Sequence, residues 1–416
     1  MSLLVMKFGG TSVADLERIR RAARLVAAEV AGGHGVAVVV SAMAGKTNEL
    51  VAWTDGAGSA AGAIEPCDDE YDAVVASGEQ VTAGLLAMTL RNMGTPARSW
   101  MGWQIPILTD DAHGRARIDA IPPENLLAAL GAGEVAVIAG FQGVTAAGRL
   151  ATLGRGGSDT TAVAIAAAIG AGRCDIYTDV DGVYTTDPRI EAKARRLTRI
   201  SYEEMLEMAS LGAKVLHTRS VEMAMAHGVP LRVLSSFTEP GQSAGAGTMV
   251  CDEEEILEKR IVSGVAFSRD EAKISLFGLP DHPGVSSEIF GRLADANVNV
   301  DMIVQSHARS EGAANMEFTV GRRDAARAVE IVRAAREAIG FVEVAVDEDV
   351  AKVSVIGVGM RSHAGVAKTM FGALAEKGVN IQVISTSEIK ISVLIDAAYT
   401  ELAVRALHAA YGLDGV

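Results

Sequence analysis

The sequence is poor in the residues that mark several common classes of protein. Its 416 residues include three cysteines, Cys67, Cys174 and Cys251, which stand far apart and form no C-x-x-C pair. We therefore expect reduced thiols in a cytoplasmic protein, rather than a disulfide framework or a zinc site. No apolar run reaches about 18 residues, so a membrane-spanning helix is not expected. The opening MSLLVMKFGG becomes rich in glycine too early for a signal peptide.

An excess of basic residues is also missing. The formal net charge is −14, which argues against nucleic acid or an anionic membrane surface as a partner. The histidines show no ligand spacing, so no protein-held metal is expected, and no Ser-His-Asp arrangement with a nucleophile elbow is present. An anionic substrate would have to be bound by a few specific lysines and arginines.

What the sequence contains is a large apolar fraction and an alternation of strand and helix signals over residues 1–248. Hydrophobic residues make up 49% of the chain, enough for the cores of two or three domains. The alternation predicts an α/β fold with a largely parallel sheet covered on both faces, and with ligands at the carboxyl ends of its strands. The predicted strands are Leu3–Phe8, Gly35–Ser41, Glu134–Phe141, Cys174–Asp179 and Pro230–Ser236. The predicted helices include Val81–Met93, Ala162–Ile169 and Tyr202–Ala209, the last opened by a capping box of Ser201 and Glu204.

The C-terminal part contains an internal repeat after a polar boundary at Glu239–Arg260. Lys273–Ser306 aligns with Lys352–Ser387, and several residues recur unchanged 81 positions later, as His282 does at His363. Each copy predicts a βαββαβ unit, and two copies are too few for a solenoid. The predicted domains are residues 1–248, a linker at 249–262, and the two repeats at 263–345 and 346–416.

Gly45-Lys46-Thr47 follows an apolar strand, as the end of a P-loop would. A Walker A loop needs a glycine five residues before Gly45, and Val40 occupies that position inside the strand. The Walker interpretation therefore fails, and we expect the phosphate lysine elsewhere.

Two other stretches are better candidates for anion binding. In MKFGGTSV (Met6–Val13), paired glycines allow backbone N–H groups to approach phosphate oxygens, although the pair taken alone is more typical of an ordinary strand-to-helix turn. In TLGRGGSDTTA (Thr152–Ala162), a helix N-cap explains Ser158 or Asp159 but not three glycines around Arg155. An arginine on a glycine loop is typical of carboxylate or phosphate recognition.

The remaining motifs are weaker when each is taken alone. YTDVDGVYTTDPR (Tyr177–Arg189) could be an Asp-Gly turn with surface charge. In SGEQV (Ser77–Val81), Glu79 could be a first-turn helix acid, and in GAKVLHTRS (Gly212–Ser220), Lys214 could be a surface charge.

Together with VVVSAMAGKTNEL, these motifs resemble, in order and spacing, the aspartate kinases of the amino-acid kinase superfamily. The repeat resembles the pair of ACT domains that these kinases carry, one of which is often inserted in the other. The resemblance covers essentially the whole chain and implies a three-layer amino-acid kinase fold followed by two ferredoxin-like ACT domains. The lysine-plus-threonine-inhibited subgroup is the most similar.

The resemblance implies ATP-dependent phosphorylation of the L-aspartate β-carboxylate, the first step towards lysine, threonine and methionine. A carboxylate with an ordinary pKa of about 3.9 needs no general base, so positioning and charge neutralisation suffice. Mg²⁺ is expected to arrive with ATP, bound mainly through its phosphates. Because relatives vary at Lys46, that lysine is not expected to be essential.

The motif positions imply a role for each residue. Lys7 and Asp159 are the expected catalytic residues, with Asp159 organising lysines rather than accepting a proton. The expected ATP-binding residues are Lys7, Gly9, Gly10, Ser12, Thr178, Asp179, Tyr184, Asp187, Arg189 and Lys214. The expected aspartate-binding residues are Ser41, Thr47, Glu79, Arg155, Ser158 and Asp159, with Glu79 on the α-ammonium and Arg155 on a carboxylate.

The ACT pair implies feedback by lysine, threonine or both, and a homo-oligomer or α2β2 assembly formed through ACT–ACT pairing. The expected effector contacts are Asp281, His282, Pro283, Gly284, Asn299, Val300, Asp301, Asn380 and Ile381. Two alternatives remain open at this point. One is a sibling kinase acting on glutamate, N-acetylglutamate, carbamate or UMP. The other is an amino-acid sensor with an inactive kinase domain.

Overall fold

A computed structural model of the chain describes residues 2–58, 68–211, 215–239, 246–256, 260–308 and 312–414. Their contacts divide the chain into two compact units. The first unit comprises residues 2–183, 196–210 and 215–256, and the second comprises residues 184–195, 211 and 260–414. The second unit therefore includes a short segment, residues 184–195, that lies within the first unit's stretch of sequence.

The first unit is built from alternating strands and helices. Its strands are β1 (Leu3–Phe8), β2 (Gly35–Val40), β3 (Ala97–Trp100), β4 (Leu108–Thr109), β5 (Ile118–Ala120), β6 (Val135–Ala139), β7 (Gln142–Thr145), β8 (Leu150–Thr152), β9 (Arg173–Thr178), β10 (Arg199–Ser201), β11 (Leu231–Ser235) and β12 (Thr248–Cys251). Its helices are α1 (Leu16–Ala31), α2 (Lys46–Gly58), α3 (Asp68–Val75), α4 (Ser77–Asn92), α5 (Glu124–Gly131), α6 (Gly157–Ile169), α7 (Tyr202–Ser210) and α8 (Thr218–His227).

A central eight-stranded sheet organises this unit, in the order β10-β12-β11-β9-β1-β2-β6-β3. The pairing of β11 with β12 is antiparallel, and the other pairings are parallel. Buried residues of β1 and β2 pack against apolar residues of α1 and α4, because a parallel sheet is covered on its faces. The predicted α/β class with a largely parallel sheet is confirmed.

A second, four-stranded sheet has the order β5-β4-β7-β8. Its strands contain two to four residues each, too few for a period-two pattern to stand out, and the sequence did not predict them. The sheet matters for the site because β8 leads directly into the loop that carries Arg155.

By length and mean hydropathy alone, the helical stretch Asp68–Asn92 could cross a membrane. It nevertheless carries two buried acids, Asp72 and Glu79, and its residues Leu86 and Leu90 belong to the apolar core against β1 and β2. These features are typical of a core helix in a globular domain.

The second unit contains a six-stranded sheet in the order β14-β15-β13-β16-β18-β17. These strands are β13 (Gly264–Pro280), β14 (Val300–His307), β15 (Ala313–Val320), β16 (Glu343–Ile356), β17 (Val383–Thr386) and β18 (Lys390–Asp396). Its helices are α9 (Val285–Asp295), α10 (Ala325–Ala334), α11 (Arg336–Ile339), α12 (Val366–Glu376) and α13 (Thr400–Ala410).

The two long strands of this sheet, β13 and β16, each serve both repeats. Residues 272–280 of β13 pair with β15, whereas residues 264–268 pair with residues 352–356 of β16. Val265 accordingly packs in the second repeat's core with Val353 and Met370, while Ile274 packs in the first repeat's core. The core of the second repeat thus includes residues 264–268, which lie inside the range predicted for the first repeat.

Candidate active site

The central feature of the candidate site is an ion pair between Lys7 and Asp159. Lys7 lies near the carboxyl end of β1 and Asp159 in the first turn of α6. Their side chains are 10% and 8% exposed, and Nζ lies 2.5 Å from Oδ1. A buried carboxylate that neutralises a lysine also fixes its direction, because both side chains lose their freedom to rotate.

The glycines after β1 pass close to neighbouring strands. The backbone N–H of Gly9 donates to the carbonyl of Tyr177 over 3.2 Å, and a Cβ there would lie 3.4 Å from the Lys7 ammonium. A Cβ on Gly10 would lie 2.9 Å from the carbonyl oxygen of Ala42, so larger residues are excluded. The hydroxyl of Ser12 donates to the same Tyr177 carbonyl. This loop is thereby fixed between the ends of β2 and β9, beside Lys7.

Glu79 lies in the first turn of α4 and is 3% exposed. Its Oε1 accepts a 2.9 Å hydrogen bond from the backbone N–H of Ala42, and its buried Oε2 has no partner within the described chain. Burial raises the pKa of Glu79 to about 7, although the hydrogen bond from Ala42 opposes the rise. A buried carboxylate with a free oxygen suits a cationic ligand group.

The loop between β8 and α6 is shaped by its glycines. Gly154 and Gly156 adopt left-handed conformations, with φ of 74° and 72°, which favour glycine. A Cβ on Gly156 would fall 2.3 Å from the ring of His217. Arg155 stands between these two glycines and is exposed. Ser158 is buried in the first turn of α6, where a Cβ on Gly140 would contact its hydroxyl.

Ser41 and Thr47 lie in the segment that follows β2, Ser41 on the loop and Thr47 in the helix after it. The backbone N–H of Ser41 donates to the carbonyl of Phe8 over 3.1 Å, which holds Ser41 beside β1. Thr47 lies in the first turn of α2. Its neighbour Lys46 is 54% exposed and pairs with Glu49 over 2.5 Å, so this lysine is engaged on the surface of its own helix.

The other expected nucleotide residues fall into three groups. Thr178 ends β9, and its hydroxyl donates to Asp179. Tyr184, Asp187 and Arg189 belong to the segment 184–195 of the second unit, where Arg189 and Asp187 form a 2.7 Å ion pair. The side-chain hydrogen bond from Arg189 lowers the pKa of Asp187. Lys214 lies outside the described residues.

The expected effector residues lie in the second unit, on loops and strand starts. Asp281, His282, Pro283 and Gly284 connect β13 to α9, and Gly284 has a φ of 104°. Asn299 and Asn380 are exposed, Val300 is half-buried, and Ile381 packs against the second repeat's core. Asp301 differs from these because it accepts a 2.6 Å hydrogen bond from Lys352.

Lys352 is a buried residue that the sequence interpretation missed. Its side chain is 7% exposed, and its ammonium lies 2.8 Å from Glu271 and 2.6 Å from Asp301. Burial opposes its charge, but the two carboxylates raise the pKa of Lys352 overall. The repeat could have indicated this position, because Lys352 and Lys273 correspond and Lys273 donates to Gln382, the counterpart of Asp301.

Within the described ranges, no group of three or more His, Cys, Asp or Glu could hold a metal ion. The donors that are present suit a nucleoside triphosphate. They are the ammonium of Lys7, the backbone of Gly10 and the first turn of α6, which combine positive charge with close backbone approach, whereas the N–H of Gly9 is already donated to Tyr177.

Comparisons with known proteins identify the family to which the chain belongs. The family model described as the amino acid kinase family matches residues 2–235, and the ACT domain model matches residues 274–335 and 353–411. The aspartokinase of Pseudomonas aeruginosa is 54% identical over 417 residues, covering 100% of this chain and 98% of the relative. That of Mycobacterium tuberculosis is 46% identical, covering 100% and 97%.

Among solved structures, E. coli aspartokinase III in complex with aspartate and ADP matches with a TM-score of 0.80 and 30% identity. The match covers 98% of this chain and 99% of that one. The buried Lys7–Asp159 pair, the glycine loops around it and the duplicated C-terminal unit thus stand in a chain whose relatives share its full length. The chain belongs to the aspartokinases, kinases of the amino acid kinase family that carry ACT domains.

Proposed function

We propose that this aspartate kinase transfers the γ-phosphoryl group of ATP to the β-carboxylate of L-aspartate at the Lys7–Asp159 cluster. The products are ADP and 4-phospho-L-aspartate. The observation that carries the proposal is the buried ion pair of Lys7 and Asp159 beside Gly9 and Gly10. A lysine held by a carboxylate at a glycine loop provides a fixed positive charge where two anions must meet.

The nucleotide binds along the carboxyl ends of β1 and β9 in this proposal. Lys7 contacts the phosphates, and Gly9, Gly10 and Ser12 line them. Thr178 and Asp179 lie on the adjoining strand end, which supports a role beside the nucleotide. For Tyr184, Asp187, Arg189 and Lys214 the support is their motif. Mg²⁺ bound to ATP supplies further neutralisation of the phosphate charge.

The substrate lies between Glu79 and Arg155. The free Oε2 of Glu79 binds the α-ammonium, and the exposed guanidinium of Arg155 binds a carboxylate in a bidentate manner. Ser41, Thr47 and Ser158 add hydroxyl contacts around the acceptor group. The β-carboxylate is already ionised at neutral pH, so Asp159 directs Lys7 and is not a proton acceptor.

Feedback control is proposed to act through the repeat unit, with lysine, threonine or both as effectors. One structural relative is E. coli aspartokinase III in complex with lysine and aspartate, matching with a TM-score of 0.77 and 30% identity. We propose the loop Asp281–Gly284 and the strand starts at Asn299–Asp301 and Asn380–Ile381 as the effector contacts. A homo-oligomer or α2β2 assembly through ACT–ACT pairing, in the cytoplasm, completes the proposal.

The decisive experiment measures ADP release with ATP-Mg²⁺ and one of L-aspartate, L-glutamate, N-acetylglutamate or UMP. We expect turnover with L-aspartate and at most traces with the others. Absence of aspartate-dependent ADP would refute the proposal, and turnover with another acceptor would identify a sibling kinase. If no acceptor leads to ADP release, the protein behaves as an inactive sensor.

The regulatory part is tested separately, by adding lysine and threonine singly and together to the aspartate reaction. Inhibition by either, or by the pair only, supports effector binding to the repeat unit. No response to any combination would contradict it. Substituting Asn380→Ala should weaken the response while leaving the uninhibited rate unchanged, because Asn380 belongs to the second unit and is exposed.

A further inference from the structure

Asp72 is a fully buried carboxylate that the reaction scheme does not use. It lies in α3 and is 0% exposed. Its two oxygens accept hydrogen bonds from the backbone N–H of Gly114, from the backbone N–H and hydroxyl of Thr152, and from the ring of His113. The distances run from 2.5 Å to the Thr152 hydroxyl to 3.1 Å to Gly114. Asp72 therefore joins three separate segments of the chain, which are α3, the turn at His113 and Gly114, and the end of β8 at Thr152.

The segment that begins at Thr152 carries the proposed substrate arginine. Arg155 follows Thr152 by three residues, with Leu153 and Gly154 between them. The carbonyl of Leu153 accepts a 2.7 Å hydrogen bond from Arg219, and a Cβ on Gly154 would lie 3.1 Å from the carbonyl oxygen of Gly114. Asp72 therefore fixes the start of the Arg155 loop in two ways. It bonds directly to Thr152, and it bonds to Gly114, whose carbonyl lies beside Gly154.

The helical stretch that carries Asp72 also carries the proposed ammonium site. Glu79 follows Asp72 by seven residues, which is about two helical turns and so returns to the same face. The backbone stays helical at the α3–α4 junction, because Ala76 has φ of −64° and ψ of −17° and its N–H donates to the carbonyl of Asp72 over 3.0 Å. One nearly continuous helix thus bonds to the Arg155 loop at Asp72 and to Ala42 at Glu79.

We infer that Asp72 is a positioning residue for substrate recognition, which sets the separation between Glu79 and Arg155. The inference rests on the proposed roles of those two residues. Aspartate and glutamate share their α-ammonium and α-carboxylate and differ by one methylene. A fixed separation of the two recognising groups therefore fixes where the side-chain carboxylate lies relative to Lys7. Asp72 acts on aspartate only through the loop, not by contact.

The first test is Asp72→Asn, which keeps the size of the side chain but turns one acceptor oxygen into a donor. At least one of the surrounding N–H or O–H groups then faces another donor. We expect KM for aspartate to rise about tenfold, KM for ATP to change less than about twofold, and the preference for aspartate over glutamate to fall. Equal changes in both KM values, or a lower Tm with unchanged KM values, would overturn the inference.

A matched control lies on the same helix. Asp69→Asn removes a carboxylate that is 42% exposed and pairs with Arg149, so both KM values should stay at their wild-type levels. Should Asp72→Asn fail to fold, Thr152→Val removes only the hydroxyl donor and should raise KM for aspartate in the same direction by a smaller factor. An unchanged KM for Thr152→Val would then refute the inference.

A double-mutant cycle separates this inference from the proposed function. Arg155→Ala alone tests the assignment of the substrate arginine. If Asp72 acts through Arg155, adding Asp72→Asn to Arg155→Ala should raise KM for aspartate no further. Additive effects would contradict the positioning role while leaving the role of Arg155 intact. An Arg155→Ala enzyme with normal KM for aspartate would refute the substrate assignment itself.

Discussion

At the scale of single residues, the two lysines near the site differ in how they are held. Lys7 is almost fully buried against Asp159, whereas Lys46 is half exposed and pairs with Glu49 on one helix. An exposed pair contributes little because water and salt screen it. A buried lysine at a glycine loop is fixed and only partly hydrated, so its charge acts strongly on a bound anion.

We therefore predict that Lys7→Ala lowers kcat by about a thousandfold, while Lys46→Ala changes it by less than about twofold. The measurement is ADP release at saturating ATP and aspartate, with circular dichroism to verify folding. Lys46→Ala is the matched control because it removes the same group from the start of the neighbouring helix α2. Comparable losses in the two variants would contradict the assignment of the phosphate lysine.

Glu79 makes aspartate binding depend on pH. Its pKa is raised by burial to about 7, so below neutral pH the free enzyme holds it protonated and unable to pair with an ammonium. KM for aspartate should fall as the pH rises from about 6 to about 8. Glu79→Gln should raise KM about tenfold at the higher pH and abolish this dependence. A KM profile unchanged by the substitution would contradict the ammonium assignment.

Glu79→Gln should weaken aspartate binding but stabilise the folded chain at high pH. The folded-state pKa of Glu79 lies above its ordinary value of 4.5, so the folded chain binds the extra proton between these two values. Stability then falls as the pH rises, and the cost is complete above about pH 7. Glu79→Gln should raise Tm at about pH 8 and leave it unchanged at about pH 4.

The sequence predicted single residues where a motif surrounds them. Lys7 and Asp159 stand in glycine-rich motifs, and the structure joins them in one ion pair. Asp72 stands in an ordinary acidic helix turn, where nothing local distinguishes it from Asp69. Its donors come from residues about 40 and 80 positions away, Gly114 and Thr152, and only the folded chain brings these together.

At the scale of elements, apolar runs predicted the buried strands well. β1 spans the predicted Leu3–Phe8, and the capping box at the start of α7 is confirmed, since Ser201 and Glu204 exchange 3.2 Å hydrogen bonds. The division of β13 between two cores was not predicted. Both halves of this strand have buried apolar residues, and a pattern along one strand does not indicate its neighbours.

The long strands also place two corresponding lysines in different surroundings, which leads to a stability prediction. Lys352→Met should destabilise the second unit by about 3 kcal/mol, because it leaves the buried Glu271 without its partner. Lys273→Met is the matched control at the corresponding position of the first repeat. It should cost only about 1 kcal/mol, since its partner Gln382 is uncharged.

Urea unfolding followed by far-UV circular dichroism would measure this difference. All three tryptophans belong to the first 103 residues, so tryptophan fluorescence follows the first unit and should not change in either variant. Equal losses for Lys352→Met and Lys273→Met would contradict the importance of the buried carboxylate.

At the scale of the whole molecule, the compact units do not follow the order of the sequence. The segment 184–195 leaves the first unit after β9 and belongs to the second. There the N–H of Val265 donates to the carbonyl of Thr185 over 2.8 Å, and the Thr185 hydroxyl bonds to the buried ring of His408 over 2.9 Å. Composition marks boundaries where the chain becomes polar, so a short segment with a motif of its own gives no such signal.

The buried ring of His408 should make the contact between the segment 184–195 and the rest of the second unit depend on pH. Burial lowers the pKa of His408 below its ordinary 6.5, although the carboxylates of Glu191 and Asp414 oppose this and Lys193 reinforces it. The unfolded chain therefore takes up the proton first as the pH falls. The contribution of His408 to stability is complete above about pH 6.5 and is lost as the pH falls through its folded-state value.

We predict that His408→Gln, whose amide can still bond to Thr185, weakens the loss of stability between about pH 7 and about pH 5. Urea unfolding by circular dichroism at several pH values measures this. His227→Gln, at the exposed end of α8 in the first unit, serves as the control.

A direct check is the NMR titration of the His408 ring in the full chain and in a fragment of residues 260–416. The fragment lacks Thr185, Glu191 and Lys193, so its ring becomes accessible to water and should titrate closer to the ordinary pKa. The same titration in both would mean that the segment 184–195 does not bury His408.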